Sequence, residues 1–360
     1  MKSKPAVVLL ILLLGAITYQ TYRLFKQAKA VPTPTPLVAS NQKITPRTSA
    51  PLDDLSRNRL AHEQFKASDL MKAWSEGDSF TPLSRAELDR FLKEKGRTPI
   101  NLIAASRLSH DVNLIREAIK EFPQDPSLQL ELALRSNTPE EKSQAIQNFQ
   151  QFAPDNSIGN YLAAQNAFSK GDLAAAGDAL AQSLENPLLL NYNAQILQSS
   201  EDALSDAGYT PGMAPALALG LLVIPELTVF TDVSRNLKTV EDGFINQADY
   251  DSAEPAVVIG ITLGQRIQDS SNTTIINQLV GISVEKTFLD QLDPLTVVGP
   301  NNATVAERLE LIKNKQQTIK ELIPVSNQLM EADDATLAQY FGIMKKEGEI
   351  AALQWLQNRK

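Results

Sequence analysis

From residue 52 onward, apolar positions recur at three- and four-residue intervals, and sustained two-residue alternation is almost absent. That period belongs to amphipathic α-helices rather than half-buried strands. "LDDLSRNRLAHEQFKASDLMKAW", residues 52 to 74, carries the pattern first. Boundary signals then follow at short intervals. Ser84 stands three residues before Glu87, the spacing of a capping box, and Gly96 supplies the stop. Thr138 is placed to cap a helix with Pro139 at its first position and Glu141 reaching back. Thr304 and Glu307 repeat the box. The helices between these signals are mostly 10 to 20 residues long, which predicts an all-α fold.

Two stretches are more apolar than a surface helix requires. "PALALGLLVIP", bounded by Pro215 and Pro225, is too short to cross a bilayer and reads as a fully buried core helix. "AVVIGITLG", residues 256 to 264, is β-branched enough for a strand, but its helical register makes it a helix.

The helices come in pairs. "SIGNYLAAQNAFS", the turn "KGD" and "LAAAGDALAQSLE", closed by Pro187, form a hairpin in which Ala163, Ala164, Ala167 and Ala176 let two antiparallel helices approach closely. Ala248-Asp249-Tyr250 with Ala253 reproduces the offsets of Gly171-Asp172-Leu173 with Ala176. Gly348-Glu349-Ile350 and His110-Asp111-Val112 mark further turns. "EFPQDPS" at 121 and "QFAPDNS" at 151 lie 30 residues apart.

With these offsets the chain resembles the tetratricopeptide-repeat family, whose helix–turn–helix units stack into a superhelix. The match is best over 157–187, where Ala164, Gly171, Asp172, Ala176 and Pro187 fall at or near the family's positions. It is weaker near 98–126, 236–267 and 333–360, and absent over 188–235 and 270–330. Most of the first helices lack the family's large aromatic. The resemblance implies an irregular α-solenoid whose first helices line a concave groove for partner segments. On the best copy that face carries Ile158, Tyr161, Gln165 and Phe168, with Tyr161 and Gln165 the expected partner contacts.

The N-terminus changes the picture of location. Ala6 to Phe25 is 20 residues with one charge, Arg23, enough to span about 30 Å of hydrocarbon. It reads as a signal anchor over 1–30, either retained or cut after Ala30. Residues 31–51 hold five prolines and no acid, the composition of an extended tether. Basic residues flank the apolar run almost equally, so its orientation rests on the tether, which favours the outside of a cytoplasmic membrane. The expected organisation is therefore anchor (1–30), linker (31–51), N-terminal helices (52–97), repeat-like helices (98–187) and a further repeat-like region (188–360). Anchor, tether and degenerate repeats together resemble uncharacterised bacterial envelope proteins.

The net charge of −8 hides a partition: residues 52–360 hold 27 Lys and Arg against 42 Asp and Glu, a formal −15. That excludes a basic footprint for nucleic acid on the folded part. Cysteine is absent, which removes disulfides, thiolate metal sites and cysteine nucleophiles. The two histidines, His62 and His110, have no neighbour at ligand spacing. "SRLSHD" contains Ser, His and Asp, but adjacency is not triad geometry. Glu331, Asp333 and Asp334 precede a helix and read as cap residues. Neither GxGxxG nor GxxxxGK[ST] occurs. Asn272 and Asn302 begin sequons. The chain is thus expected to have no catalytic, metal or cofactor site and to act as a membrane-tethered adaptor or scaffold for an envelope protein or peptide. The alternatives are a structural spacer, or a glycan-cleaving enzyme of α-superhelical type using one glutamate of raised pKa.

Overall fold

The computed structural model describes residues 81–222, 224–270, 274–298 and 303–359. These form helices α1 (Arg85–Lys95), α2 (Pro99–Ser109), α3 (Asn113–Glu121), α4 (Pro126–Arg135), α5 (Pro139–Phe152), α6 (Ile158–Ser169), α7 (Leu173–Glu185), α8 (Asn193–Ala207), α9 (Met213–Gly220), α10 (Pro225–Ile245), α11 (Tyr250–Gln268), α12 (Ile275–Leu289), α13 (Val305–Leu322), α14 (Asp334–Glu347) and α15 (Glu349–Asn358), with a 3-10 segment at Ile323–Met330. A two-residue antiparallel pair, β1 (Val297–Val298) with β2 (Ala303–Thr304), precedes α13 and has no counterpart in the sequence pattern.

Local chemistry sets most helix ends. Ser84 and Glu87 form the full capping box of α1, and Thr304 with Glu307 that of α13. Thr138 stands at the N-cap of α5 before Pro139 but makes no side-chain cap bond. Glu141 turns away instead and accepts from Arg116 at 2.8 and 2.9 Å. "AVVIGITLG" lies within α11, as its register requires. "PALALGLLVIP" is only partly helical. Helix α9 ends at Gly220, and a new helix begins at Pro225, whose missing N–H suits a first turn.

Four of the interhelical turns share one backbone solution. His110, Gly171, Gly208 and Ala248 all have positive φ, at +56°, +73°, +104° and +57°. In each case the following amide bonds the carbonyl five residues back: Asp111 to Ser106, Asp172 to Ala167, Tyr209 to Leu204 and Asp249 to Phe244. This six-to-one closure satisfies carbonyls at the helix end. Asp172 and Asp249 then cap the next helix through their side chains.

From α2 to α7 consecutive helices pack as neighbours, but the chain then turns back on itself. Helix α8 lies against α1 and α2, α10 against α4 and α6, α9 against α14, and α7 against α11. In a solenoid each unit touches only its neighbours. The expected irregular solenoid is therefore corrected to an all-α fold with long-range packing. One hydrophobic core runs from Leu83 to Leu356 and crosses the expected boundaries at 97/98 and 187/188. A close crossing joins α11 to α12. There a Cβ on Gly264 would lie 2.5 Å from the Glu285 amide nitrogen, and one on Gly260 would collide with the Phe288 ring.

The anchor expected over 1–30, the tether, His62 and both sequon asparagines lie outside the described residues. Among the described residues one stretch has the length and apolar composition to cross a membrane, and it is internal, Met213–Ile245. It comprises α9 and α10, and 53% of its most apolar window is buried in the fold. The picture of a membrane helix preceding the repeats, with single-pass attachment and an outward-facing body, is corrected accordingly. The membrane-length stretch sits mid-chain, where a core helix meets the same test of length and composition.

Candidate functional site

Helix α8 enters its first turn from an unusual cap. Tyr192 adopts φ +58°, which swings Asn191 and Asn193 to the same side. Beside them the N-terminal half of α8, the end of α9, the first turn of α12 and the last turns of α14 enclose a cleft of about 220 Å³. Leu197, Leu219, Leu222, Ile224, Phe341 and Met344 give it an apolar floor. Asn191, Asn193, Gln198, Glu201, Asn277 and Lys345 supply the polar rim.

Nearly every rim group is already engaged. Lys345 Nζ donates to both Glu201 carboxylate oxygens at 2.9 Å and lies 3.4 Å from Gln198 Oε1. This ion pair leaves the rim without net charge. Asn191 and Asn193 both donate their side-chain amides to Glu226 Oε1, at 2.8 and 2.5 Å. Asn193 Oδ1 in turn accepts from Arg107 at 3.1 Å. Asn277 is 7% exposed, and its Oδ1 accepts from Thr274 Oγ1 at 3.0 Å.

Beneath the cleft the network continues into the core. Arg107 is paired with Glu131 through two bonds of 3.0 and 2.7 Å, and Arg135 adds a third at 3.2 Å. Burial pushes the Glu131 carboxyl up, and the charge and hydrogen bonds of Arg107 and Arg135 override it, leaving it below the usual carboxylate range. Glu226 has weaker support. It is 1% exposed, and burial pushes its carboxyl up to about 7 despite the Asn193 bond and the more distant Arg107 charge. Five side chains from α2, α4, α8 and α10 thus form one chain from the half-buried Arg135 through buried Glu131 and Arg107 and half-buried Asn193 to buried Glu226, and Asn193 carries it to the cleft.

The expected contact residues lie elsewhere. Tyr161 is fully buried, edge-on to Phe230 of α10 at 5.7 Å, with its hydroxyl 3.3 Å from Arg266 Nη1. Gln165 is half-buried, accepting from Lys142 at 3.0 Å and donating to Asp232 of α10 at 3.1 Å. Helix α10 packs over this face of α6, so Tyr161 is buried within the fold and both amide ends of Gln165 are engaged inside the chain. The apolar stripe of α10 (Leu227, Phe230, Val233, Leu237) is the signal that such a cover was needed.

The other candidates separate cleanly. His110 is an exposed turn residue, and Ser106 donates to the Asp111 carbonyl rather than to an imidazole. Asp333 caps α14 as expected. Asp334 does something the sequence did not show, accepting from Thr210 and from the Gly212 amide at 2.9 Å across 122 residues, which ties α14 to the start of α9. Among the described residues no group of three or more His, Asp or Glu is arranged to hold a metal ion.

Comparison of the chain with protein-family models, with curated proteins and with solved structures finds no match. Membership of the tetratricopeptide-repeat family, and the likeness to envelope proteins, are therefore not upheld. What stands is an all-α chain containing repeat-like hairpins.

Proposed function

We propose that this chain is a helical adaptor or scaffold that binds a segment of another protein and performs no chemistry of its own. The observation that supports this reading is the cleft between α8, α9, α12 and α14. Its floor is apolar, its rim is uncharged overall, and its ionisable groups are paired with one another rather than aimed into open space. Those are the properties of a recognition pocket, in which apolar area supplies affinity and a few polar groups fix orientation. The test is a photo-reactive residue at Gln198, on the exposed rim, compared with one at Gln182, on the outer face of α7. A protein crosslinked from 198 alone, which then binds the purified chain saturably, is the expected result. Capture from neither position, or equally from both, sinks the reading.

One observation favours a second reading, that of a glycan-cleaving enzyme. Glu226 is held near neutrality in a buried setting, as a general acid would be. Against it, the carboxylate faces Asn191 and Asn193 rather than the cleft opening. Glycan cleavage by the purified chain that disappears in Glu226→Gln would make the enzyme reading the correct one.

A further inference from the structure

Two hairpins, α6–α7 and α10–α11, set their second helices side by side. Tyr161 meets Phe230 and Gln165 meets Asp232, so α6 and α10 run in the same direction. Each reverses at an αL turn, which leaves α7 and α11 as parallel neighbours. Arg266 ties them by donating to the Ser183 and Leu184 carbonyls at 2.6 and 3.3 Å. On one flank of α7, Gln182 reaches back to Asn160 of α6. Helical spacing puts Leu173, Gly177 and Leu184 on the other flank, and all three are exposed. Gly177 has open space where a Cβ would go. Helix α11 exposes Tyr250 and Val258 in turn. Leu173 and Tyr250 hold equivalent places, each directly after the aspartate that caps its helix, and they are 61% and 65% exposed. The same two helices expose Asp178, Asp251 and Glu254, none of which has an ion-pair partner among the described residues.

The distribution of charge along the chain indicates what covers this seam. Residues 81–170 hold 11 Lys and Arg against 11 Asp and Glu, and residues 303–360 hold 8 against 8. The acidic surplus falls on residues 171–302, with 4 against 17. Only residues 1–51 carry the opposite excess, seven Lys and Arg with no acid. The same seam on a second copy brings negative charge to negative charge and is repelled. Within the basic segment, residues 37–51 ("LVASNQKITPRTSAP") interleave Lys43 and Arg47 with Ile44 and Pro46. Thirty residues separate Pro51 from Thr81, about 100 Å of extended chain, so reach sets no limit. We propose that residues 37–51 dock on their own chain along the seam of α7 and α11. Lys43 and Arg47 face Asp178, Asp251 and Glu254, while Ile44 and Pro46 cover Leu173 and Tyr250. Proline packs on an exposed aromatic ring at small entropic cost, because its φ is already fixed. The seam shares no residue with the cleft of α8, α9, α12 and α14, so failure here leaves the recognition pocket untouched.

The experiment places a photo-reactive residue at position 250 of the purified full-length chain and maps its adducts by mass spectrometry. Mixing isotopically heavy and light chains separates contacts within a chain from contacts between chains. An adduct to a peptide within 37–51 of the same chain is expected, and none to that peptide from exposed position 313 on α13. Lys43→Glu combined with Arg47→Glu should lower its yield about fivefold, the scale of one or two exposed ion pairs. Raised salt should act in the same direction. Adding Asp178→Lys and Glu254→Lys to that variant should restore the adduct, which damage to the fold does not do. Adducts joining heavy to light chains would make a second copy's segment the occupant and overturn docking within the chain. Yields indifferent to charge reversal and to salt would overturn ion pairing as the basis of the contact. No adduct to 37–51, or equal yields from 250 and 313, would overturn the docking itself.

Discussion

At Glu226 burial outweighs every contact that favours the charged form, and the consequence is a dependence of stability on pH. The folded chain holds this proton with a pKa of about 7, well above the ordinary carboxylate value of 4.5. The folded state therefore binds the proton more tightly than the unfolded chain. Its contribution is complete below the ordinary carboxylate range and is lost as pH rises through about 7. Glu226→Gln keeps an acceptor for Asn191 and Asn193 without the charge. Urea titrations should show the variant gaining on the parent by about 3 kcal/mol between pH 4.5 and 8. A difference that stays constant over that range would mean Glu226 is ionised throughout. Arg107 and Glu131 behave oppositely, because each has the other. Glu131→Ala strands a buried guanidinium and should cost about 3 to 5 kcal/mol, the usual penalty for breaking a buried pair from one side. None of this network was legible in the sequence, since Arg107, Glu131, Asn193 and Glu226 look like ordinary helix-surface residues until α8 and α10 fold over α2 and α4.

The helices and their turns were the most legible level, for a local reason. A cap, an N1 proline or a stop glycine acts within one turn, so Ser84 with Glu87, Thr304 with Glu307, and Gly171 with Asp172 could be placed without knowing the fold. The αL turn carries a further consequence where it lacks glycine. Ala248 holds φ +57° with a Cβ that this conformation crowds. Ala248→Gly should raise stability by about 1 kcal/mol after its extra freedom in the unfolded chain is counted, measured as a higher urea midpoint. Helix glycines split by their neighbours. Gly243 has open space where a Cβ would go, so Gly243→Ala should stabilise α10 by about 0.5 to 1 kcal/mol. Gly264→Ala drives a methyl into the backbone of α12 and should cost at least 1 to 3 kcal/mol. Equal effects from both substitutions would show that the α11–α12 crossing is looser than its geometry. Gly264 opposite Gly281, and Gly260 opposite Phe288, were visible as letters, but without the partner helix they had no meaning.

Long-range packing separates this molecule from a stack of repeats. Because α8 closes on α1 and α2, and α10 on α4 and α6, no run of helices has its own complete interior. Unfolding by urea should therefore follow one cooperative transition whether monitored at Trp355 or by helical circular dichroism. A solenoid of semi-independent units would instead lose its ends first. The same packing moved the candidate site. The face of α6 that would have lined a groove is buried by α10, and the open surface appears where α8, α9, α12 and α14 meet, among residues up to 154 positions apart along the chain.

Helix period, caps, turn chemistry and charge partition act over a few residues or over the whole composition, and these were sufficient for an all-α chain of paired helices with an acidic folded part. Which helix covers which face depends on matching apolar stripes that lie far apart in the chain, such as those of α10 and α6. Many pairings satisfy the same pattern, and the shape of the packed side chains selects among them. The fate of Tyr161 and the raised pKa of Glu226 both follow from that selection, because burial and the identity of a neighbour exist only once the helices have docked.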